Sequence, residues 1–241
     1  MRKVAIIQAR VGSTRLPRKV LLQLGDGTVL QQVVNRVRAA PGLDDVVVAT
    51  TVAPADDAIV GECERLNFSY FRGSEEDVLG RYFGAAEKFN AGIVIRITAD
   101  CPLFDGSLLG RMLAQFDCDY LSNVVTRTFP RGLDTEIFTF SALAKAFREA
   151  QEPYSREHVT PYFYQHPELF NLKSFEESPD LSHHRWTLDT PEDWHFIQAV
   201  YSALHKPDRR FTTEEVLNLL RRRPELATIN AGVQQKSLTQ K

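Results

Sequence analysis

Four cations crowd one short loop near the start of this chain. The apolar run at residues 4–7 passes directly into Gln8, Ala9, Arg10, Val11, Gly12, Ser13, Thr14, Arg15, Leu16, Pro17, Arg18 and Lys19. A loop at the carboxyl end of a first buried strand lies where open α/β sheets bind ligands, and it combines backbone N–H groups with fixed positive charge. Gly12 is expected to permit a backbone conformation that other residues resist, Ser13 and Thr14 to offer hydroxyls, and Pro17 to stiffen the approach to Lys19. Arg10, Arg15 and Lys19 together suit a triphosphate, because guanidinium groups grip phosphate oxygens in pairs. The Gly-Lys-Ser/Thr ending of a P-loop is missing, which disfavours that class. An ordinary solvated basic loop remains the competing reading.

Two carboxylates stand at other strand ends. Asp100 follows a predicted strand in RITADCPL (96–103), and Asp189 lies in RWTLDTPED (185–193). Magnesium takes one or two carboxylates plus substrate phosphates and waters, so each is a candidate ligand. Asp100 is equally well read as the start of a turn, whereas for Asp189 the structural reading is the stronger, since Thr190 already caps the helix and an acidic residue is favourable beside its N-terminus. Arg131 and Arg156 are candidates for holding the carboxylate of a polyhydroxylated acid, each in a stretch that mixes charges with hydroxyls. Glu157 and His158 taken alone read as a solvated helix face. His183 and His184 lack a further ligand pattern, which argues against zinc. Cys101 has no marked His partner and reads as a buried thiol rather than a nucleophile.

The elements that must position these groups alternate regularly in the first half. Strands are predicted at 3–9, 46–51, 68–72 and 92–98, with helices at 28–40, 55–66 and 74–89 between them. Val46, Val47 and Val48, like Ile93, Val94 and Ile95, are apolar on both faces, as parallel strands covered by two helix layers require. Thr28 and Ser74 mark helix starts, the latter with Asp77 three residues on. Beyond residue 100 the pattern predicts short strands near 119–122, 134–139, 170–176 and 184–188, and helices near 141–150 and 155–165. Two last helices open at Thr190-Pro191 and Thr212-Thr213. The expected fold is α/β: a three-layer nucleotide-diphospho-sugar transferase type with a mostly parallel, mixed sheet. It forms one domain over 1–230, with 119–175 as a smaller lobe or dimerisation arm and 231–241 as a disordered tail.

Bulk properties narrow the function classes. The 241 residues are 43% hydrophobic, enough for a sizeable core, and the net charge of −2 argues against a general nucleic-acid binder. No apolar stretch is long enough to span a bilayer, and the first residues lead into a strand rather than a signal-peptide core, so a cytoplasmic protein without membrane contact is expected. Three widely spaced cysteines argue against a disulfide framework or a zinc knuckle.

Taken together, IIQARVGSTRLPRK (6–19), GSEEDVLGR (73–81), RITADCPL (96–103), GLDTE (132–136), REHVTPY (156–162) and RWTLDTPED (185–193) resemble the sugar-acid cytidylyltransferases. These are the enzymes that activate acylneuraminate and 3-deoxy-manno-octulosonate, and the likeness is closest to the spore-coat polysaccharide branch. The resemblance implies a nucleotidyltransferase, usually dimeric, that joins CMP from CTP to a sugar acid and releases pyrophosphate with Mg²⁺. By position it implies nucleotide contacts at Ala9, Arg10, Gly12, Ser13, Arg15, Lys19 and Arg96, with Arg72, Ser74 and Asp77 near the base. It implies sugar contacts at Asn123, Arg131, Asp134, Glu136, Glu157 and His158, and metal ligation by Asp100 and Asp189. Arg15, Lys19 and Asp100 would carry the catalysis. The loop ends Arg-Leu-Pro-Arg-Lys where the sialic-acid enzymes have a Lys-Asn ending, which leaves the sugar open.

Two other classes compete. A nucleotide-sugar-dependent glycosyltransferase would use a similar sheet, but Thr98-Ala99-Asp100 is not the Asp-x-Asp such a site favours. A nucleotide-binding protein without catalysis would gain nothing obvious from a metal carboxylate beside the basic loop.

Overall fold

In the computed structural model, which describes residues 1–235, the apolar run after Arg2 forms β1 (Lys3–Gln8) at the heart of a sheet. The short hairpin β2 (Gln23–Leu24) and β3 (Gly27–Thr28) leads to α1 (Val29–Arg38), followed by β4 (Asp45–Thr51), α2 (Asp57–Arg65), β5 (Ser69–Gly73), α3 (Val78–Lys88) and β6 (Ile93–Thr98). Then come α4 (Gly106–Ala114), β7 (Tyr120–Ser122), β8 (Glu136–Thr139), α5 (Phe140–Glu149), α6 (Pro153–His158), α7 (Pro161–Gln165) and β9 (Leu172–Ser174). Helices α8 (Pro191–Leu204), α9 (Thr213–Arg222) and α10 (Glu225–Thr228) close the described chain.

Seven strands make one sheet in the order β5-β4-β1-β6-β8-β7-β9. Strands β5, β4, β1 and β6 are mutually parallel, and β8 runs against both of its neighbours. The expected α/β class with a mostly parallel, mixed sheet is therefore what the chain adopts. Within 119–175, strands β7, β8 and β9 extend this same sheet and α6 packs on α3. Along β1 the side chains alternate: Ala5 and Ile7 pack with α1, α4 and α8 on one face, while Val4 and Ile6 pack with α3 and α5 on the other. That alternation is why the strands are apolar throughout. The chain steps from β1 outward through β4 to β5 and then returns to β6 on the far side of β1. The order reverses there, and the loops that follow β1 and β6 line a cleft over the paired ends of these two strands.

Several expectations need correction. Helix α4 lies in a stretch for which the pattern gave none; Asp105 caps it, its carboxylate accepting from Ser107 N at 2.9 Å. The strand expected at 184–188 is an extended segment joined to Arg131 by one isolated bridge, because no neighbouring strand continues along it. The helix expected at 155–165 is two helices. They are divided by Val159, which holds φ 73° in a γ-turn with Thr160 N donating to the His158 carbonyl at 2.9 Å. The helix expected from Ser74 begins later, since Ser74 Oγ accepts from Asp77 N and Asp77 in turn caps Gly80 N. Of the tail expected to be disordered, 231–235 follow the buried Asn230, and Gln235 accepts from Arg185 at 2.7 Å; residues 236–241 lie outside the described residues. No helix among the described residues is long and apolar enough to cross a membrane.

Two polar groups knit distant parts of the larger core. Arg36 is buried, donating to the Phe104 and Phe211 carbonyls at 3.2 and 2.9 Å and lying 3.8 Å from the Phe211 ring centre. Asp105 accepts from Thr213 N at 2.8 Å as well as from the start of α4, so it joins α4 to α9. Burial would raise the Asp105 pKa, but its hydrogen bonds to Ser107 and Thr213 outweigh burial and hold it below the usual carboxylate value. A depressed folded-state pKa adds stability above the unfolded value and loses it as pH falls through the folded one. Asp105→Asn is expected to cost about 1–3 kcal/mol at neutral pH. In urea unfolding, the gap from the parent protein should narrow as pH is lowered below about 4; a gap independent of pH would contradict this.

Candidate active site

The loop that leaves β1 is held from beneath. Asp56, buried ahead of α2, accepts Val11 N at 2.8 Å and the Thr51 hydroxyl at 2.5 Å. Ser13 N and Arg18 N both donate to the Val11 carbonyl, closing the loop on itself. Gly12 does not adopt the left-handed backbone expected of it; Arg18 does, at φ 56°. An added Cβ at Gly12 would meet only Glu75 Oε1, at 3.9 Å, so glycine contributes open space above the loop rather than a special conformation.

Arg18 turns the chain into the 3₁₀ turn Lys19–Leu21, which aims Lys19 inward. The Lys19 ammonium donates to Asp100 Oδ2, Asp189 Oδ1 and the Leu188 carbonyl, each at 2.7 Å. Arg15 reaches the other Asp189 oxygen at 3.2 Å. Burial alone would lower the Lys19 pKa, but the two carboxylates outweigh it and hold the ammonium above its ordinary value. Burial likewise opposes ionisation of Asp100, and Lys19 prevails, drawing its pKa down. These groups border a cleft of about 390 Å³ floored by Gln8, Ala9, Thr98 and Ala99, with Arg10 and Ser13 above. Asp189 is positioned by Leu188 N bonding the Asp100 carbonyl at 2.8 Å and by Arg185, which reaches Asp189 at 3.1 Å. Arg185 is fixed in turn by the fully buried Asp193 at 2.9 Å, and Asn230 donates to that carboxylate at 2.8 Å.

A basic loop and two carboxylates, one after β6 and one ahead of α8, thus meet over one crevice. The family model described as cytidylyltransferase matches residues 4–221. The spore coat polysaccharide biosynthesis protein SpsF of Bacillus subtilis is 38% identical over 237 residues, covering 92% of this chain and 95% of its own length. A structure of a cytidylyltransferase from Leptospira borgpetersenii is 34% identical and superposes with a TM-score of 0.90, covering 98% of this chain and 100% of that one. The 3-deoxy-manno-octulosonate cytidylyltransferase of Chlamydia trachomatis serovar A is 28% identical over 176 residues, 67% of each chain. The chain belongs to the cytidylyltransferase family. It is a nucleotidyltransferase.

The cytidylyltransferase brings Ala9, Arg10, Gly12, Ser13, Arg15, Lys19, Asp100 and Asp189 to one cleft. Other expected site residues are engaged within the fold. Arg72 donates to the Thr51 and Ala53 carbonyls and pairs with Asp57 at 2.8 Å, bracing the turn after β4. Asp77 pairs with Arg156, which also donates to the Phe147 carbonyl, so Arg156 is a brace between α3 and α5 rather than a free carboxylate receptor. Arg96 pairs with Glu136, itself bonded by the Tyr120 hydroxyl at 2.6 Å. Asn123 is 1% exposed, with its amide committed to the Leu133 carbonyl and Thr135 N. Asp134 is held by Arg127, and Tyr154 stacks edge-on to His158 beside Glu157. Arg131 keeps no carboxylate at ion-pair distance among the described residues, and its backbone pairs with the segment carrying Arg185. That pairing requires Gly132, at φ 109°, where a Cβ would lie 2.6 Å from the Trp186 backbone. Cys101 is a buried thiol pushed well up by burial and by Asp100, unsuited to nucleophilic work.

Sequence reasoning missed Asp56, Arg81, Arg185 and Asp193 as parts of the site. Thr190 with Asp193 three residues on is a capping box, present as such, and was the available signal for Asp193. Nothing local marked Asp56, whose partners lie across a turn and on another loop. Asp193→Ala removes the fully buried carboxylate that holds Arg185, Asn230 and the start of α8, and is expected to destabilise the cytidylyltransferase by about 3–5 kcal/mol. A loss under about 1 kcal/mol in chemical denaturation would refute the anchoring role.

Proposed function

We propose that this cytidylyltransferase transfers CMP from CTP to a sugar acid of the nonulosonate-like class, releasing pyrophosphate, for surface polysaccharide synthesis. The observation that carries the reading is the convergence of Lys19 with Asp100 and Asp189 at the mouth of a cleft roofed by Arg10 and Arg15. The sugar-acid class is supported by the activity that the Chlamydia relative's name gives, and the polysaccharide context by that of the Bacillus relative. The homodimer expected from the resemblance belongs to this reading.

A divalent ion fits the donor set. Both carboxylates already converge on one positive charge, and their donors are oxygen only, the choice of Mg²⁺. No cluster of three or more His, Cys, Asp and Glu side chains able to hold a metal occurs among the described residues, so substrate phosphates and water would complete the shell. Bound there, such an ion supplies charge neutralisation and orientation at the phosphates. Arg10, Arg15 and Ser13 hold the triphosphate along the loop, and Lys19, kept protonated by its two carboxylates, steadies the charge that develops. A sugar hydroxyl oxygen attacks the α-phosphorus, the bond from that phosphorus to the bridging oxygen of pyrophosphate breaks, and the hydroxyl proton leaves to solvent. The protein's contribution is positioning and electrostatics. Arg131, half-buried and crowded by Arg127, offers its guanidinium to the sugar acid's carboxylate.

The direct test supplies each of the four ribonucleoside triphosphates with Mg²⁺ and a panel of octulosonate-like and sialic-acid-like acids. Pyrophosphate is expected with CTP and one class of acid; no pyrophosphate with any acid, while a nucleotide-sugar donor is consumed with release of its nucleotide, would overturn the reading. Asp100→Asn should keep the fold and lower turnover by about 100-fold or more; survival of activity within a few-fold would remove Asp100 from the metal site. Arg15→Ala should weaken CTP binding by about tenfold, the loss of one strong charged contact, and unchanged affinity by calorimetry would defeat the phosphate loop.

A further inference from the structure

The residues that follow α10 reach back to the cleft. Ala231 N donates to the Thr228 carbonyl and Val233 N to the Asn230 carbonyl, so the chain turns over residues 228–233 and carries Asn230 and Gln235 onto the segment ahead of α8. Asn230 is 4% exposed, and its amide donates to the Arg185 carbonyl at 3.0 Å and to Asp193 Oδ1 at 2.8 Å. Gln235 Oε1 accepts from Arg185 Nη1 at 2.7 Å. A cavity of about 470 Å³ lies between this segment and His183, His184 and Trp186, so these hydrogen bonds rather than close packing join the two. Both residues stand beyond residue 221, where the match to the cytidylyltransferase family model ends.

These contacts end on a carboxylate of the cleft. Arg185 Nη2 donates to Asp193 Oδ2 at 2.9 Å and to Asp189 Oδ2 at 3.1 Å, while its Nε meets Asp193 Oδ1 at 2.9 Å. With Nη1 on Gln235, every nitrogen of the flat guanidinium has an acceptor, which fixes its plane. Asp189 Oδ2 is thus taken by Arg185, with Arg15 at the same oxygen, and Oδ1 is left beside Lys19, the ammonium that also binds Asp100 Oδ2. We propose that Asn230 and Gln235 are positioning residues for the divalent ion: through Arg185 they set which face Asp189 turns to the cleft. The proposal rests on the reading of Asp100 and Asp189 as metal ligands given above. Partners that orient a metal-binding carboxylate matter because a ligand free to rotate must be ordered again when the ion arrives. Asn230 has the larger part, since it steadies the carboxylate on which Arg185 rests. Gln235 is exposed and adds one contact.

The test is calorimetric CTP affinity in Mg²⁺ and in EDTA for the wild-type protein, Asn230→Ala, Gln235→Met and Asp189→Asn. The ratio of the two affinities measures the coupling of ion and nucleotide, and comparison between proteins removes the ion's own binding to free CTP. Asn230→Ala should lower that ratio by about tenfold and Gln235→Met by about threefold, with affinity in EDTA kept within about twofold. In the protein without ligands, hydrogen exchange at the Asp189 and Thr190 amides, which both donate to Asp193 Oδ2, should quicken by about fivefold in Asn230→Ala while the amides of β1 keep their rates. Gln235→Met alters an exposed side chain and decides the matter should Asn230→Ala not fold. A ratio unchanged in either folded variant, or equal losses in Mg²⁺ and EDTA as a merely structural strap would give, overturns the proposal. A wild-type ratio that Asp189→Asn leaves intact is a different result, which removes the metal reading itself and this inference with it.

Discussion

One ammonium group ties the cleft together. Lys19 binds a carboxylate that ends β6, a carboxylate that precedes α8 and the carbonyl between that second carboxylate and the sheet. Two carboxylates brought this close would repel. The ammonium makes their approach favourable, so the loop carrying Lys19 and the two acidic segments define one another. Arg18's left-handed backbone, the closed bonding around Val11 and the buried Asp56 are all means of delivering that ammonium to its place.

The sheet explains why such a constellation forms at this edge. Strand order reverses at β1, and the loops that leave β1 and β6 line the cleft over their paired ends. Behind Asp189 the restraint continues through Arg185 to Asp193 and Asn230, a chain of charged and amide contacts from the cleft to the end of the described helices. Each carboxylate there has its cation, whereas Arg81, which lines the same cleft, has no carboxylate at ion-pair distance among the described residues.

Much of this was legible from the residues. The continuous apolar runs of β1, β4 and β6 mark parallel strands, and their strand-loop-helix sequence puts the basic loop and Asp100 on one edge. Helix α4 escaped because Asp105 sits in a run of apolar residues that begins at Cys101 and looks the same in either secondary structure. The break at Val159 escaped because a β-branched residue with positive φ has no sequence signature. Among site residues, those on the first loop were readable because glycine, hydroxyl and cations occur together. The assignments at Arg72, Asn123 and Arg156 were not corrected by pattern alone, since the partners that engage them lie up to 79 residues away. Residue type shows what a side chain can bind, and only the fold shows whether it is already occupied.

The buried Arg36 has a consequence for how the chain is made. Its two carbonyl acceptors lie 68 and 175 residues later in the sequence. During synthesis the amino-terminal strands and α1 emerge first, and the Arg36 guanidinium must stay hydrated until α9's approach delivers Phe211. The larger face of the sheet therefore cannot be sealed against water by the nascent amino-terminal half, and the last fifth of the chain acts as the closing piece of a core whose first helix was laid down at the start.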